Sequence, residues 1–405
     1  MNTIDTTCVI AGGGPAGMML GFLLARAGVP VTVIEKHKDF LRDFRGDTVH
    51  PSTLEVMYEL GLLEDFLKLP HSEVKSVRLQ IGRDNIILGK FETLPVHCKF
   101  IALMPQWDFL NFLAERGKAS PGFVLRLCTE ATDLIVDGDR VGGIRANTLD
   151  GTLEIRAGLT IGCDGRHSTL RACSGLMSDD FGAPMDVLWF RVTRTRQDPD
   201  EVVGRIDRGR MLVMLNRDDY WQCAYVIPKG GAEAVERRGL DEFQRTIVGL
   251  APFLHERMGE IDRWDKVKLL TVAIDRLRRW WKPGLLLIGD AAHAMSPVGG
   301  VGINLAIQDA VAAANILAEP LRRGVVTERT LQAVQERREF PTRFTQRLQI
   351  VMQNNLIAPA LSETGDPKAP WFMKVIQWPL LNRLPGRLIA LGVRPEHVRT
   401  LLIPP

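Results

Sequence analysis

Thr7-Cys8-Val9-Ile10-Ala11-Gly12-Gly13-Gly14-Pro15-Ala16-Gly17 leads into an apolar run through Met18, Leu20, Leu23 and Leu24, and Val31-Thr32-Val33-Ile34-Glu35 follows. This order predicts a buried strand, a glycine turn, a helix and a second strand. Gly12 permits the tight turn, Gly14 lets backbone amides approach a pyrophosphate, and Gly17 lets helix and strand pack closely. The helix start at Pro15-Ala16 directs its positive end at the phosphates. Glu35, eighteen residues beyond Gly17, is placed to accept hydrogen bonds from ribose hydroxyls, which points to a nucleotide without a 2′-phosphate, FAD or NAD. A plain glycine turn is the competing reading, and the motif alone does not choose between the two nucleotides.

Two further stretches have the same logic. Leu159-Thr160-Ile161-Gly162-Cys163-Asp164-Gly165 is a strand running into a turn, with Arg166, Ser168 and Arg171 just after it. Gly284-Leu285-Leu286-Leu287-Ile288-Gly289-Asp290 is another buried strand ending on an acid, and Ser296-Pro297-Val298-Gly299-Gly300-Val301-Gly302-Ile303-Asn304 then opens a long helix. Glycines 299–302 let a planar ring lie against backbone, and the helix N-terminus near Ile303-Asn304 favours negative charge on that ring. A simple helix-entry turn is the alternative.

Together these motifs, GGGPAG…E, GCDGRHSTLR and LLLIGDAAHAMSPVGGVGINLAIQDA, resemble the single-component FAD-dependent aromatic hydroxylases, the p-hydroxybenzoate hydroxylase-like flavoprotein monooxygenases. The resemblance covers residues 8 to about 310. It implies that Gly12, Gly14, Pro15, Ala16, Gly17, Glu35 and Lys36 hold the ADP half of FAD, and that Asp290 binds the ribityl chain or the phosphate beside it. Pro297, Gly300, Gly302, Ile303 and Asn304 fall to the flavin side. Arg45 resembles an arginine that reaches the cofactor phosphates, against a solvated surface arginine. Gln106 resembles a helix-start residue touching the flavin chain, against an ordinary helix-start polar group. Asp164 and Gly165 are implied in FAD contact and in the use of NAD(P)H, against a structural aspartate turn. NADPH or NADH would bind transiently and reduce the flavin; oxygen would add at C4a, and the hydroperoxide would deliver one oxygen to an electron-rich ring.

Composition sets the outer bounds. The 405 residues are 45% hydrophobic, 24% charged and 7% aromatic, which excludes disordered, collagenous and low-complexity classes. Net charge is only +3, with no stretch of one sign, so no nucleic-acid partner is expected. The six cysteines lack C-x-x-C spacing, so no structural metal is expected, and with no H-E-x-x-H pair and no serine in G-x-S-x-G two hydrolase signatures are missing. The start lacks a basic signal region, and the apolar stretch Gly17–Val29 is short and contains Arg26; a cytoplasmic protein without a transmembrane segment, monomer or homodimer, is the expectation.

The expected architecture is α/β: a Rossmann-like FAD-binding domain with an inserted β-sheet substrate domain and C-terminal helices. The cofactor domain takes residues 1–75, 104–180 and 265–330, the substrate domain 76–103 and 181–264. Strands are expected at 186–192, 211–215 and 221–227, with the last two joined across Asn216-Arg217-Asp218-Asp219. Residues 331–405 read as helices broken by Pro341, Pro359, Pro370, Pro379 and Pro385, and Trp371–Trp378 is an apolar patch suited to packing on the parent domain, a membrane surface or a second subunit. His50 and Arg191 are the candidate catalytic residues, His50 for its place just past Arg45 and Arg191 for its place beside Trp189 on a roof strand. Trp189, Met211, Trp221 and Tyr225 are candidate cavity linings. The function expected is NAD(P)H- and O2-dependent hydroxylation of a small aromatic or phenolic substrate. Modification of a polycyclic antibiotic, an epoxidation, or a flavin reductase or redox sensor are the alternatives.

Overall fold

In the computed structural model the residues described are 2–41, 48–199, 203–362 and 383–400. The sheet expected from the first motif is built on strand Asn2–Ala11, which pairs in parallel with Val31–Ile34 on one side and Gly151–Gly162 on the other. Gly151–Gly162 pairs in parallel with Leu285–Leu287, and Val31–Ile34 with Phe123–Arg126. Cys8–Ala11, Val31–Ile34 and Leu285–Leu287 are buried throughout. Such continuous apolar runs, rather than alternating ones, are what a parallel sheet covered on both faces requires.

Register is what makes the sheet functional. Ala11 is opposite both Gly162 and Ile34, and Gly162 is opposite Leu287, so the three motif strands end level with one another. Gly12, Asp164 and Asp290 therefore leave the sheet at one carboxyl edge, where open α/β sheets bind ligands. Helices Pro15–Arg26 and Gly302–Arg322 start from that edge and pack together, with small residues such as Ala16, Ala306 and Ala310 buried along them. The helix Gly302–Arg322 with its preceding turn is long and apolar enough to cross a membrane, but 78% of its apolar window is buried inside the protein, as a core helix should be.

The inserted sheet has seven strands, in the order Lys268–Leu270, Met185–Thr193, Tyr220–Pro228, Arg210–Asn216, Val203–Asp207, Ser76–Ile81 and Asp84–Lys90. It does draw on two separated pieces of chain. Residues 101–103, grouped with it from sequence, pair instead with Thr48–Val49 and Ser72–Val74 in a small sheet beside the cofactor edge. Helix Leu240–Leu250 covers the outer face, packing Phe243, Ile247 and Leu250 against Phe190, Leu212 and Trp221. Each such side chain contributes about 1.5–3 kcal/mol on burial.

The C-terminal prolines act differently from the sequence expectation. Helix Glu328–Met352 runs through Pro341 without a break. A proline removes one backbone hydrogen bond, and here side-chain anchors hold the helix on both sides of it: Arg338 Nε donates to Asp309 Oδ1 at 2.9 Å, and Gln346 Nε2 to the Asp275 carbonyl at 2.8 Å. Pro359 and Pro385 lie in helices Ala358–Ser362 and Arg383–Leu391. Pro370, Pro379 and the patch 371–378 lie outside the described residues.

Candidate active site

The first turn forms a cradle. Gly12 has φ +107°, and a Cβ there would lie 2.3 Å from the Cys163 carbonyl oxygen, so only glycine fits. At Gly14 a Cβ would meet nothing within 4 Å: the space in front of the helix start is open. Gly14 is the N-cap of Pro15–Arg26, and no side chain caps the helix. Its first amides are therefore available to an anion, the requirement for a pyrophosphate. Gly17 lies behind the cradle, where a Cβ would overlap the Gly12 carbonyl. Glu35 closes the other side, its carboxylate accepting from Gly13 N and His37 N, each at 3.0 Å. The carboxylate lines the cavity, where it can accept from a ribose hydroxyl. Lys36 and Gln106 line the same cavity.

Asp290 sits in the turn Gly289–Ala291 and also lines the cavity. The turn is held from behind: Asp309, fully buried, accepts from Gly289 N at 3.1 Å, faces His293 Nε2 at 2.6 Å and takes the Arg338 guanidinium. Burial raises the Asp309 pKa, but the attraction of His293 and Arg338 outweighs it, and the carboxyl lies below its usual range. The following loop presents Pro297, Gly300, Gly302 and Ile303 to the cavity. Gly300 has φ +63°, and its carbonyl accepts from Thr48 Oγ1 at 2.7 Å. Helix Gly302–Arg322 has no side-chain cap, so a second set of amides faces the cavity.

Asn304 is a supporting residue and not a lining one. Its Oδ1 accepts from His50 N and Thr53 Oγ1, each at 2.8 Å, and its Nδ2 donates to the Thr48 carbonyl at 3.1 Å. Asp164 and Gly165 line the cavity. The Asp164 carboxylate accepts from Ser168 Oγ at 2.5 Å and Leu170 N at 3.1 Å; burial still raises its pKa above the ordinary value. Arg45 lies outside the described residues.

From this cradle the cavity, about 820 Å³, continues beneath the inserted sheet, within the size range of small-molecule sites. The cross-strand register arranges its roof in rows. Met211, Val226 and Val187 are adjacent in one row, Val213, Ala224 and Trp189 in the next, Leu215, Gln222 and Arg191 in the third. All of them except Arg191 line the cavity. Arg191 is exposed, at the end of its row. Trp221 and Tyr225 point to the opposite face, where Trp221 Nε1 donates to Asp198 Oδ2 at 2.7 Å and Tyr225 packs edge-on to Phe243. Side chains alternate along a strand, so Gln222, Ala224 and Val226 share the cavity face and Trp221 and Tyr225 cannot. Sequence reasoning missed Gln222, Thr48 and Asp309; for Gln222 the available signal was this parity with Met211 and Trp189 across the hairpin.

His50 lines the cavity and is fully buried. Its Nδ1 is 2.7 Å from the Ile389 carbonyl, which fixes the proton on Nδ1. Burial lowers its pKa to about 4, so the ring is neutral at pH 7.

The cradle, the uncapped helix starts and the apolar roof fit a flavin dinucleotide, and comparison with known proteins agrees. The FAD binding domain family matches residues 5–348. The 6-methylpretetramide 4-monooxygenase of Streptomyces rimosus is 33% identical over 403 residues, 98% of this chain and 94% of that one. Para-nitrophenol 4-monooxygenase of a Pseudomonas species is 25% identical over 362 residues, 85% of each chain. Among solved structures, the OxyS anhydrotetracycline hydroxylase of Streptomyces rimosus superposes with TM-score 0.76 at 23% identity, over 96% of this chain and 77% of that one. The chain belongs to the FAD binding domain family, among the FAD-dependent aromatic hydroxylases, and is an FAD-dependent monooxygenase.

Proposed function

We propose that the enzyme uses NADPH or NADH and O2 to hydroxylate an aromatic or phenolic small molecule lying between the flavin site and the inserted sheet. The observation that carries this reading is the continuity of the cavity: the glycine cradle, the 297–303 loop and the apolar roof line a single space. Bound FAD would supply the redox chemistry, accepting a hydride from NAD(P)H and activating O2 for transfer of one oxygen atom.

The protein's part is binding, orientation and shielding. Amides at Gly14 and the start of helix Pro15–Arg26 would hold the pyrophosphate, Glu35 the adenosine ribose, and Asp290 the ribityl side. The positive end of helix Gly302–Arg322, with the glycine loop before it, would favour negative charge on a bound flavin ring. Val187, Val213, Ala224 and their neighbours exclude water that would divert activated oxygen to H2O2. Neutral His50, buried against the cavity, is placed to position substrate or loop. Residues for the transient reductant are sought around Asp164 and Arg166, which border the same cavity. The reductant implies the cytoplasmic setting expected from the sequence.

Anaerobic reduction of the bound flavin tests the reading. NADPH or NADH is added with and without a panel of phenols, hydroxybenzoates and polycyclic aromatics, and flavin absorbance is followed. One compound class should accelerate reduction by at least about tenfold, equivalent to about 1.4 kcal/mol of barrier. Uniform slow reduction across the panel would instead favour a reductase or sensor.

A further inference from the structure

The three central strands give the cavity roof few polar side chains. Of the residues that the three central strands contribute to the lining, Gln222 is the one with an amide or charged side chain among those described. It is 3% exposed. Its Oε1 accepts from Arg217 Nε at 3.0 Å. That bond engages the oxygen end of the amide, while the NH2 donates to no partner among the described residues. The guanidinium also polarises the amide, making its N–H a better donor to an oxygen with negative charge.

The position of Gln222 along the roof sets the shape of what it binds. Val298, in the flavin-side loop, packs against the cluster containing Met211 and Val226. Gln222 is four residues further along the strand from Val226, about 13 Å away at the ordinary rise of a strand. Between them lie Val213, Ala224 and the Trp189 indole, and Ala224 at the middle leaves room for a flat molecule. A single-ring phenol near the Val298 end does not reach Gln222, whereas a row of fused rings does.

We propose that the Gln222 amide NH2, held by Arg217, binds an oxygen acceptor, carbonyl or phenolate, at the distal end of an elongated fused-ring substrate. This rests on the reading of the cavity as the aromatic-substrate site. It names the substrate class: a planar polycycle carrying oxygen at the end remote from the ring that is hydroxylated.

The test is calorimetric titration of the FAD-loaded enzyme with 1,8-dihydroxyanthraquinone and with phenol, for wild type, Gln222→Glu and Gln222→Leu. Gln222→Glu keeps an acceptor for Arg217, so the fold is retained while the NH2 donors are replaced by a carboxylate oxygen. Anthraquinone affinity should fall about tenfold or more in both variants, the loss expected for one hydrogen bond to a charged or strongly polar oxygen, with phenol affinity and flavin content within about twofold of wild type. Equal anthraquinone affinity in wild type and Gln222→Glu overturns the assignment, as does an equal loss for phenol. Failure of the wild type to bind either compound contradicts the aromatic-substrate reading itself, a result distinguishable from the other two.

Discussion

Two glycines two residues apart do different things, and a single added methyl separates them. At Gly12 a methyl would sit 2.3 Å from the Cys163 carbonyl in a backbone with φ +107°, so Gly12→Ala should destabilise the sheet edge by about 2 kcal/mol or more. At Gly14 φ is −75° and the methyl meets no protein atom within 4 Å, so Gly14→Ala should melt like wild type yet retain flavin poorly. Thermal unfolding of the apoprotein and the flavin-to-protein absorbance ratio check both. A Gly14→Ala variant that purified with full flavin would place the pyrophosphate elsewhere. These roles were legible in the sequence because spacing fixes backbone conformation locally. The identity of the roof residues was not, because period-two alternation says that Trp221 and Gln222 face opposite ways without saying which face is the cavity. That choice is made by helix Leu240–Leu250, which covers the Trp221 side.

Between elements, long-range side-chain bonds complete the site. His50 joins the helix Arg383–Leu391 to the start of helix Gly302–Arg322: its ring meets the Ile389 carbonyl, and its backbone N–H donates to Asn304. Nothing local in the sequence announces a contact spanning more than three hundred residues. Asp309 makes shorter-range but equally unannounced bonds, to the Gly289 turn and to helix Glu328–Met352. Burial depresses the His50 pKa to about 4 from its ordinary value near 6.5. Between those values the unfolded chain binds the extra proton and the folded one does not, so this residue's contribution is intact above pH 6.5 and falls as pH drops toward 4. The loss amounts to about 3 kcal/mol. Denaturant unfolding at a series of pH values should show this slope in wild type and a shallower one in His50→Asn. An unchanged slope would assign the acid sensitivity to other groups.

At the scale of the whole molecule, two sheets of different kinds share one cavity. The parallel sheet brings Gly12, Asp164 and Asp290 to a common edge, a consequence of three similar motifs ending in register, and this much could be read from sequence. The inserted, mostly antiparallel sheet supplies an apolar roof whose rows depend on pairings that no single strand encodes. The division of labour predicts coupled chemistry: cofactor held by backbone amides and acids, substrate held by apolar rows, water kept from both. Turnover of an accepted aromatic substrate with NAD(P)H under ¹⁸O2 tests that claim most directly, with product examined by mass spectrometry. Each molecule of hydroxylated product should carry one ¹⁸O atom; product free of label from every turnover would contradict oxygen transfer from O2.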